Sequence, residues 1–460
     1  MLLLSMNEKA QFSNDVIQEI QSQYKVLRNQ KMREREHNSE GYSDRNEFHR
    51  DYTRILYSSS FRRLQGKMQI FGIESTAFYR NRLTHSLEVA QIAHSIAKII
   101  CDQCSTDDEP IYTDEDIFVI DAAALAHDIG HPAFGHKGEK VLDQLSKEDG
   151  KRFEGNAQNY RVLRTLEKKE PKIMGLNLTN RTLLAINKYI VEEKTDIKKF
   201  MYKNDFEYLS TIREELNIPQ RRTLDAQIIE LADDIAYSVH DLEDGLAFHY
   251  FSIDELLFMI NKKDPECCKL LKDIVDKARD YSFESRSYNT SQEYSQVFRK
   301  RLTSELTNLF INDVTMSVIN DNDAEIHGTS KNQKELQLNQ YKDLCRILKG
   351  EIFECATKDP EIHLYETKGE IILNSLYKIF SDERINENGK LLPPDYRPRD
   401  KYSLKMGTID YLAGMMDTFA ISQYEELCGT PYSGIKIENY VEQSQKKKYN
   451  IFRKWLDAIH

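Results

Sequence analysis

The chain has 460 residues, enough for two or three average domains or one large helical body, either with a sizeable core. Charged residues make up 30% and hydrophobic ones 40%, and the formal charge of −11 excludes a chain that coats nucleic acid through bulk electrostatics. No apolar run approaches the roughly 18 residues of a membrane helix, and Met1 to Ser5 is too short and lacks the basic lead of a signal peptide, so a cytoplasmic location is expected.

The pattern is helical almost throughout. Met68 to Ile73 reads as one short hairpin arm, a rare alternating stretch. Leu83, Leu87, Ala90, Ile92, Ala93, Ile96, Ala97 and Ile100 recur at three- and four-residue steps, which predicts an amphipathic helix over 83–100. Asp116 to His127 reads the same way, with Thr113 or Asp114 as N-cap and Gly130-His-Pro132 as the interruption. Further helices are predicted over 160–168, 181–193, 225–248 and 254–261. The polar stretch 312–340, rich in Asn, Asp and Gln, reads as an exposed loop or insertion. Leu391 to Pro398 reads as an irregular linker before a last helical region. The predicted class is all-α. Its divisions are an N-terminal arm over 1–50, a metal-centred core over 51–250 and a helical C-terminal region over 251–460.

The chemistry concentrates at His127-Asp128, inside Ala124-Leu-Ala-His-Asp-Ile-Gly-His-Pro-Ala-Phe-Gly-His136. A His-Asp pair directly after an apolar helical run offers two metal ligands from one rigid turn. His85 lies upstream and Asp233 and Asp234 lie downstream, so imidazoles and carboxylates together make a plausible divalent-cation site with a position left for water. At about 100° per residue, Ile228, Leu231, Ala232, Ile235, Val239, Leu242 and Leu246 form one apolar stripe of the downstream helix. Asp233, Tyr237 and Asp241 line up on the opposite face with Glu230, Asp234, His240 and Asp244. A solvated acidic face is the simplest reading of that side; a metal and substrate hydroxyls would also compensate it. Periodicity leaves Asp233 and Asp234 open as the ligand.

Between Arg45 and Arg82 eight Lys or Arg residues stand against three acids. Solvated surface or a polyphosphate site would each account for the surplus, and Arg82 stands three residues before His85. The seven cysteines are odd in number and scattered, which is no disulfide framework. Cys101 and Cys104 form a CxxC without a second half and are read as two ordinary thiols.

Several blocks resemble the deoxyguanosine triphosphate triphosphohydrolase family of HD-domain proteins. They are Arg54 to Phe71, Asn81-Arg-Leu-Thr-His-Ser-Leu-Glu-Val-Ala90, His127 to Glu139, Phe153-Glu-Gly-Asn-Ala-Gln158, Ala232 to Asp244, and Tyr411-Leu-Ala-Gly-Met-Met-Asp417. They occur in the family's order from about residue 50 to 420, while 194–222 and 262–400 match weakly. Met416 stands where many relatives have Thr.

The resemblance implies an all-helical fold and hydrolysis of a deoxynucleoside triphosphate, dGTP as first guess, to deoxynucleoside and inorganic triphosphate. It makes His85, His127, Asp128 and Asp233 metal ligands, and its register selects Asp233 over Asp234. It makes His136 and Glu139 an acid-base pair at the α-phosphate, with His131 a further active-site position. Gln69 and Asp241 match contacts to the sugar 3′-hydroxyl, Tyr237 a residue packed on the sugar, and Arg82 a phosphate contact. Tyr411 and Asp417 match positions toward the nucleoside end. A mixed His and carboxylate set suits Mn²⁺, Fe²⁺ or Zn²⁺, with Mg²⁺ able to act alongside the phosphates. Relatives often form homo-oligomers, frequently hexamers, and some respond to an allosteric dNTP. Two other readings use the same fold: an HD-domain hydrolase of monophosphates, cyclic nucleotides or alarmones, and a non-catalytic nucleotide sensor. A single-stranded nucleic-acid partner draws little support from an acidic chain without a clear aromatic-basic stripe.

Overall fold

The computed structural model describes residues 11–37, 46–69, 80–194, 196–284, 290–399, 402–429 and 431. Among them the fold is all-α, with eighteen helices and one two-stranded sheet. In chain order the first five helices are α1 (Asn14–Leu27), α2 (Glu47–Leu56), α3 (Ser59–Arg63), α4 (Arg82–Cys104) and α5 (Asp114–Ala126). Next come α6 (Gly135–Lys147), α7 (Gly155–Arg161), α8 (Asn180–Ala185), α9 (Lys203–Glu215) and α10 (Leu224–Ala247). Then follow α11 (Ile253–Lys263), α12 (Pro265–Phe283), α13 (Ser291–Ile311), α14 (Asp321–His327) and α15 (Lys342–Lys358). Last are α16 (Pro360–Ser381), α17 (Leu404–Ala413) and α18 (Asp417–Cys428). No helix among the described residues is long and apolar enough to cross a membrane.

These elements form two compact units that are discontinuous in sequence. Among the described residues, one is drawn from 1–65, 69–131 and 154–359, the other from 66–68, 132–153 and 360–460. The first unit draws on all three sequence divisions and the second on the last two.

In the first unit α10 packs against α4, α13 and α15, and α5 against α2 and α4. The caps follow the sequence. Thr113 and Asp116 close a reciprocal capping box on α5, and the Thr223 hydroxyl accepts the Ala226 N–H to start α10. Ile92, Ile96, Ile120, Ala124, Ile228, Ala232, Ile235 and Val239 are fully or almost fully buried, so the predicted stripes are the core. Buried Arg181 ties α8 to the starts of α5 and α10 through Asp116 and Asp225. The helices that carry His127 and Asp233 are thus anchored at one end by a single guanidinium.

Three expectations change. The helix predicted over 181–193 stops at Ala185. The β-branched Ile190 and Val191 lie on extended backbone instead: Ile190 N–H donates to the His327 carbonyl and the Val191 carbonyl accepts from Met201. The stretch 312–340 is not a loop. It forms β1 (Val314–Val318) and β2 (Lys334–Leu338), antiparallel with Val314 opposite Leu338, and encloses α14. Val314, Met316, Leu336 and Leu338 are buried on it. The helix predicted over 160–168 begins earlier, at Gly155, and ends in a wide turn over Val162–Leu166. The hairpin arm expected at 68–73 lies mostly outside the described residues.

In the second unit α16 packs on α6, α17 and α18. Gly369 on α16 lets the Phe134 ring approach, since a Cβ there would come 2.4 Å from Phe134 Cγ.

Candidate metal centre and its surroundings

His127 caps the C-terminus of α5, and its Nδ1–H donates to the Ala124 carbonyl at 2.6 Å. That bond fixes the tautomer and leaves Nε2 as the free face of the ring. Nε2 is buried without a hydrogen-bond partner among the described residues, 3.6 Å from Asp233 Oδ1 and 3.8 Å from Asp128 Oδ1. His85, one turn into α4, brings its Nε2 to 3.0 Å from the same Asp233 oxygen. Ligand atoms of His85, His127 and Asp233 all lie within 4.8 Å of one another, the one such group of three among the described residues.

Asp128 stands beside this group. Its Oδ2 accepts from Arg82 Nη1 at 2.6 Å, and its Oδ1 lies 2.9 Å from His131 Nδ1. Burial opposes charge on Asp128, but Arg82 foremost, then His131 and His127, hold its carboxyl well below the usual range. Burial also opposes charge on the His127 ring, yet Asp128 and Asp233 outweigh it and push that imidazole up to about 9. The pocket therefore favours positive charge where three ligand atoms converge. Two imidazole nitrogens with carboxylate oxygens match the donor set of a divalent metal ion.

The turn that carries His127 and Asp128 is clamped from α7. Asn159 Oδ1 accepts the Gly130 N–H at 2.5 Å, and its Nδ2 donates to the His127 carbonyl. Gly130 has no room for a side chain: a Cβ would sit 2.3 Å from Asn159 N and from the Gly155 carbonyl oxygen. Asn159 is the positioning residue that sequence reading missed. It directly follows the quoted block ending at Gln158, and a side-chain bond to backbone some thirty residues away leaves no periodic trace.

On α10, Asp233 is 6% and Asp241 2% exposed, so the acidic side is not a solvated face. Lys188 Nζ reaches Glu230 at 2.9 Å and Asp233 Oδ2 at 3.7 Å. Asp234 instead pairs with Lys349. The Tyr237 ring lies 4.8 Å from the His85 ring. One turn further, Asp241 Oδ2 is buried and unpartnered among the described residues. Burial, with the charge of Asp244, pushes its carboxyl well above the usual range. Both amide atoms of Gln69 are likewise buried and unpartnered among the described residues.

The basic surplus near the N-terminus is largely used inside the fold. Arg54 holds the carbonyls of Leu176 and Asn177, Arg80 meets Glu88 and Asp244, and Lys67 donates to the Ala413 carbonyl. Neither a solvated patch nor a polyphosphate site describes these three. Arg45 lies outside the described residues. Among the described residues Cys101 and Cys104 belong to no such ligand group, and burial pushes the Cys104 thiol up to about 12.

In the second unit, His136 and Glu139 share the first turn of α6, with His136 Nδ1 3.6 Å from Glu139 Oε2. Tyr411 packs among Phe380 and Tyr396, at ring separations of 5.5 and 5.3 Å. The Asp417 carboxylate is 0% exposed and accepts the N–H groups of Met68 and Phe134 and the Tyr365 hydroxyl. Those bonds occupy it within its own unit, so the structure does not present it as a free contact for a base.

Residues 82–238 match the HD domain model and residues 339–426 the phosphohydrolase-associated domain model. A deoxyguanosinetriphosphate triphosphohydrolase-like protein 2 of Vibrio cholerae is 40% identical over 420 residues, covering 91% of this chain and 97% of that protein. A deoxyguanosinetriphosphate triphosphohydrolase-like protein of Shewanella sp. strain ANA-3 is 31% identical, covering 86% and 94%. With the His/Asp cluster at the junction of α4, α5 and α10, these likenesses place the chain in the deoxyguanosinetriphosphate triphosphohydrolase-like family of HD-domain phosphohydrolases.

Proposed function

We propose that this protein is a metal-dependent dNTP triphosphohydrolase that releases deoxynucleoside and intact inorganic triphosphate, with dGTP the first substrate to test. The carrying observation is the His85, His127 and Asp233 group on the same helix framework as Asp241 Oδ2 and with the Gln69 amide, both buried and unpartnered among the described residues. A buried polar group without a partner costs roughly 1–3 kcal/mol, which a ligand hydroxyl recovers. Asp241 accepts a hydrogen bond from the sugar 3′-hydroxyl, the Gln69 amide N–H donates to the oxygen of that hydroxyl, and Tyr237 packs on the sugar face.

His85, His127, Asp128 and Asp233 hold the divalent ion. When bound, that ion supplies positive charge at the α-phosphoryl oxygen and fixes in-line geometry. Mn²⁺, Fe²⁺ and Zn²⁺ suit the mixed donors, and Mg²⁺ suits the phosphates. Arg82 places a fixed cation for the phosphates, beside the carboxylate it already orients. His136 moves the proton between water and leaving group, and Glu139 holds its imidazole and steadies the charged form. His131, against Asp128, orients that ligand.

The test is incubation of metal-loaded protein with each dNTP and separation of products by ion exchange. Deoxynucleoside plus intact triphosphate supports the reading. Deoxynucleoside monophosphate plus pyrophosphate, or stepwise phosphate release, sinks it.

A further inference from the structure

The turn that launches α6 is strained. Phe134 has φ +61° and ψ 29°, and Gly135 follows with φ +56°. The left-handed region is ordinary for glycine, but a bulky L residue enters it only when its surroundings hold it there. Phe134 is fully buried, so the strain is held from outside the local sequence.

One carboxylate makes the holding contacts. Asp417 Oδ1 accepts the Phe134 N–H at 3.0 Å. Asp417 Oδ2 accepts the Met68 N–H at 3.1 Å and the Tyr365 hydroxyl at 3.0 Å. Asp417 is the first residue of α18, where an acidic side chain ordinarily serves its own helix N-terminus. Here the three hydrogen bonds it accepts among the described residues all come from other segments. The Phe134 ring fits over Gly369 and lies 5.7 Å from the Tyr365 ring. On the far side, a Cβ at Gly138 would meet the Ala133 carbonyl oxygen at 1.9 Å, so α6 turns tightly against the residue before the bend. His136 and Glu139 occupy the first turn that leaves this bend.

The geometry points to Asp417 as a positioning residue for the His136–Glu139 pair: it pins the Phe134 backbone from which that pair departs. The inference rests on the reading of His136 and Glu139 as the acid-base pair. It assigns the last motif of the chain to holding the proton-transfer turn rather than to recognising a base.

The test is a two-by-two set of Asp417→Asn and His136→Ala in the metal-loaded protein, with kcat, KM and bound metal measured for each. Replacing one carboxylate oxygen with an amide leaves only one of the Phe134 and Met68 N–H groups an acceptor. Asp417→Asn is expected to lower kcat about 10- to 100-fold, the scale of a misplaced reacting group. KM and metal content should stay within about two-fold, and the same substitution in the His136→Ala background should change kcat by less than about two-fold. Equal losses in both backgrounds, or an unchanged kcat in Asp417→Asn alone, overturn the inference. A His136→Ala protein as fast as the parent removes the acid-base reading itself. Should Asp417→Asn fail to fold, Tyr365→Phe removes one donor and keeps both backbone bonds. Its smaller kcat loss should again vanish in the His136→Ala background, and persistence there overturns the inference.

Discussion

Asn159 offers the sharpest test of how the His127-Asp128 turn is built. Asn159→Ala deletes an acceptor for the Gly130 N–H and a donor for the His127 carbonyl, at a site 1% exposed. Each lost bond leaves a buried backbone group without its partner. At about 1–1.5 kcal/mol apiece the expected loss is roughly 2–3 kcal/mol of stability. The larger effect should fall on the metal. The clamp sets where the His127 ring and the Asp128 carboxylate stand, and losing such a supporting partner typically weakens affinity about 10- to 100-fold. Asn159→Asp separates the two bonds: it keeps the acceptor for Gly130 but turns a carboxylate oxygen toward the His127 carbonyl. Urea unfolding of the metal-free protein gives the stability term, and Mn²⁺ titration by calorimetry gives the affinity. An Asn159→Ala protein that binds Mn²⁺ as tightly as the parent would refute the reasoning, whatever its stability.

Other outcomes follow from the same framework. Asp233→Ala should lose bound metal, whereas Asp234→Asn should retain it, because Asp234 faces Lys349 rather than the imidazoles; metal analysis after dialysis reads both. Gly130→Ala drives a Cβ to 2.3 Å from two backbone atoms of α7, so it should cost about 3 kcal/mol or fail to fold, as thermal unfolding will show. His327 is held down to about 3, first by burial and then by Arg222, against an ordinary value of 6.5. The unfolded chain therefore takes up that proton first as pH falls below about 6.5, and folded stability drops by about 2 kcal/mol by pH 5. His327→Phe should flatten that part of the profile, and an unchanged slope would remove His327 from the account.

The helices were legible wherever one side of the pattern was apolar. α4, α5 and α10 lie within a few residues of their predicted bounds, because caps such as Thr113 and Thr223 sit directly before the stripes. Legibility failed where tertiary pairing overrode local preference. Residues 190–193 continue a helical spacing but pair with 201 and 327, and the β1/β2 hairpin is masked by a polar composition that hides its alternating buried residues. The acidic face of α10 could be read as solvated until its burial was known, and periodicity could not separate Asp233 from Asp234 on it. Asn159 was unreadable for another reason. A single amide that satisfies a distant donor and acceptor has no signature in spacing. Lys188, on the segment after α8, and Lys349, on α15, carry no sequence signal for the same cause: each belongs to an ion pair with α10 made only when segments distant in sequence meet.

The central claim is that water attacks the α-phosphorus, the deoxynucleoside 5′ oxygen leaves with a proton, and the triphosphate stays whole. Hydrolysis of dGTP in ¹⁸O-enriched water, followed by mass spectrometry of both products, tests it most directly. Attack at phosphorus leaves the deoxynucleoside with its own 5′ oxygen and puts one heavy oxygen in the triphosphate. Label in the deoxynucleoside, or label spread over monophosphate and pyrophosphate, would contradict the account.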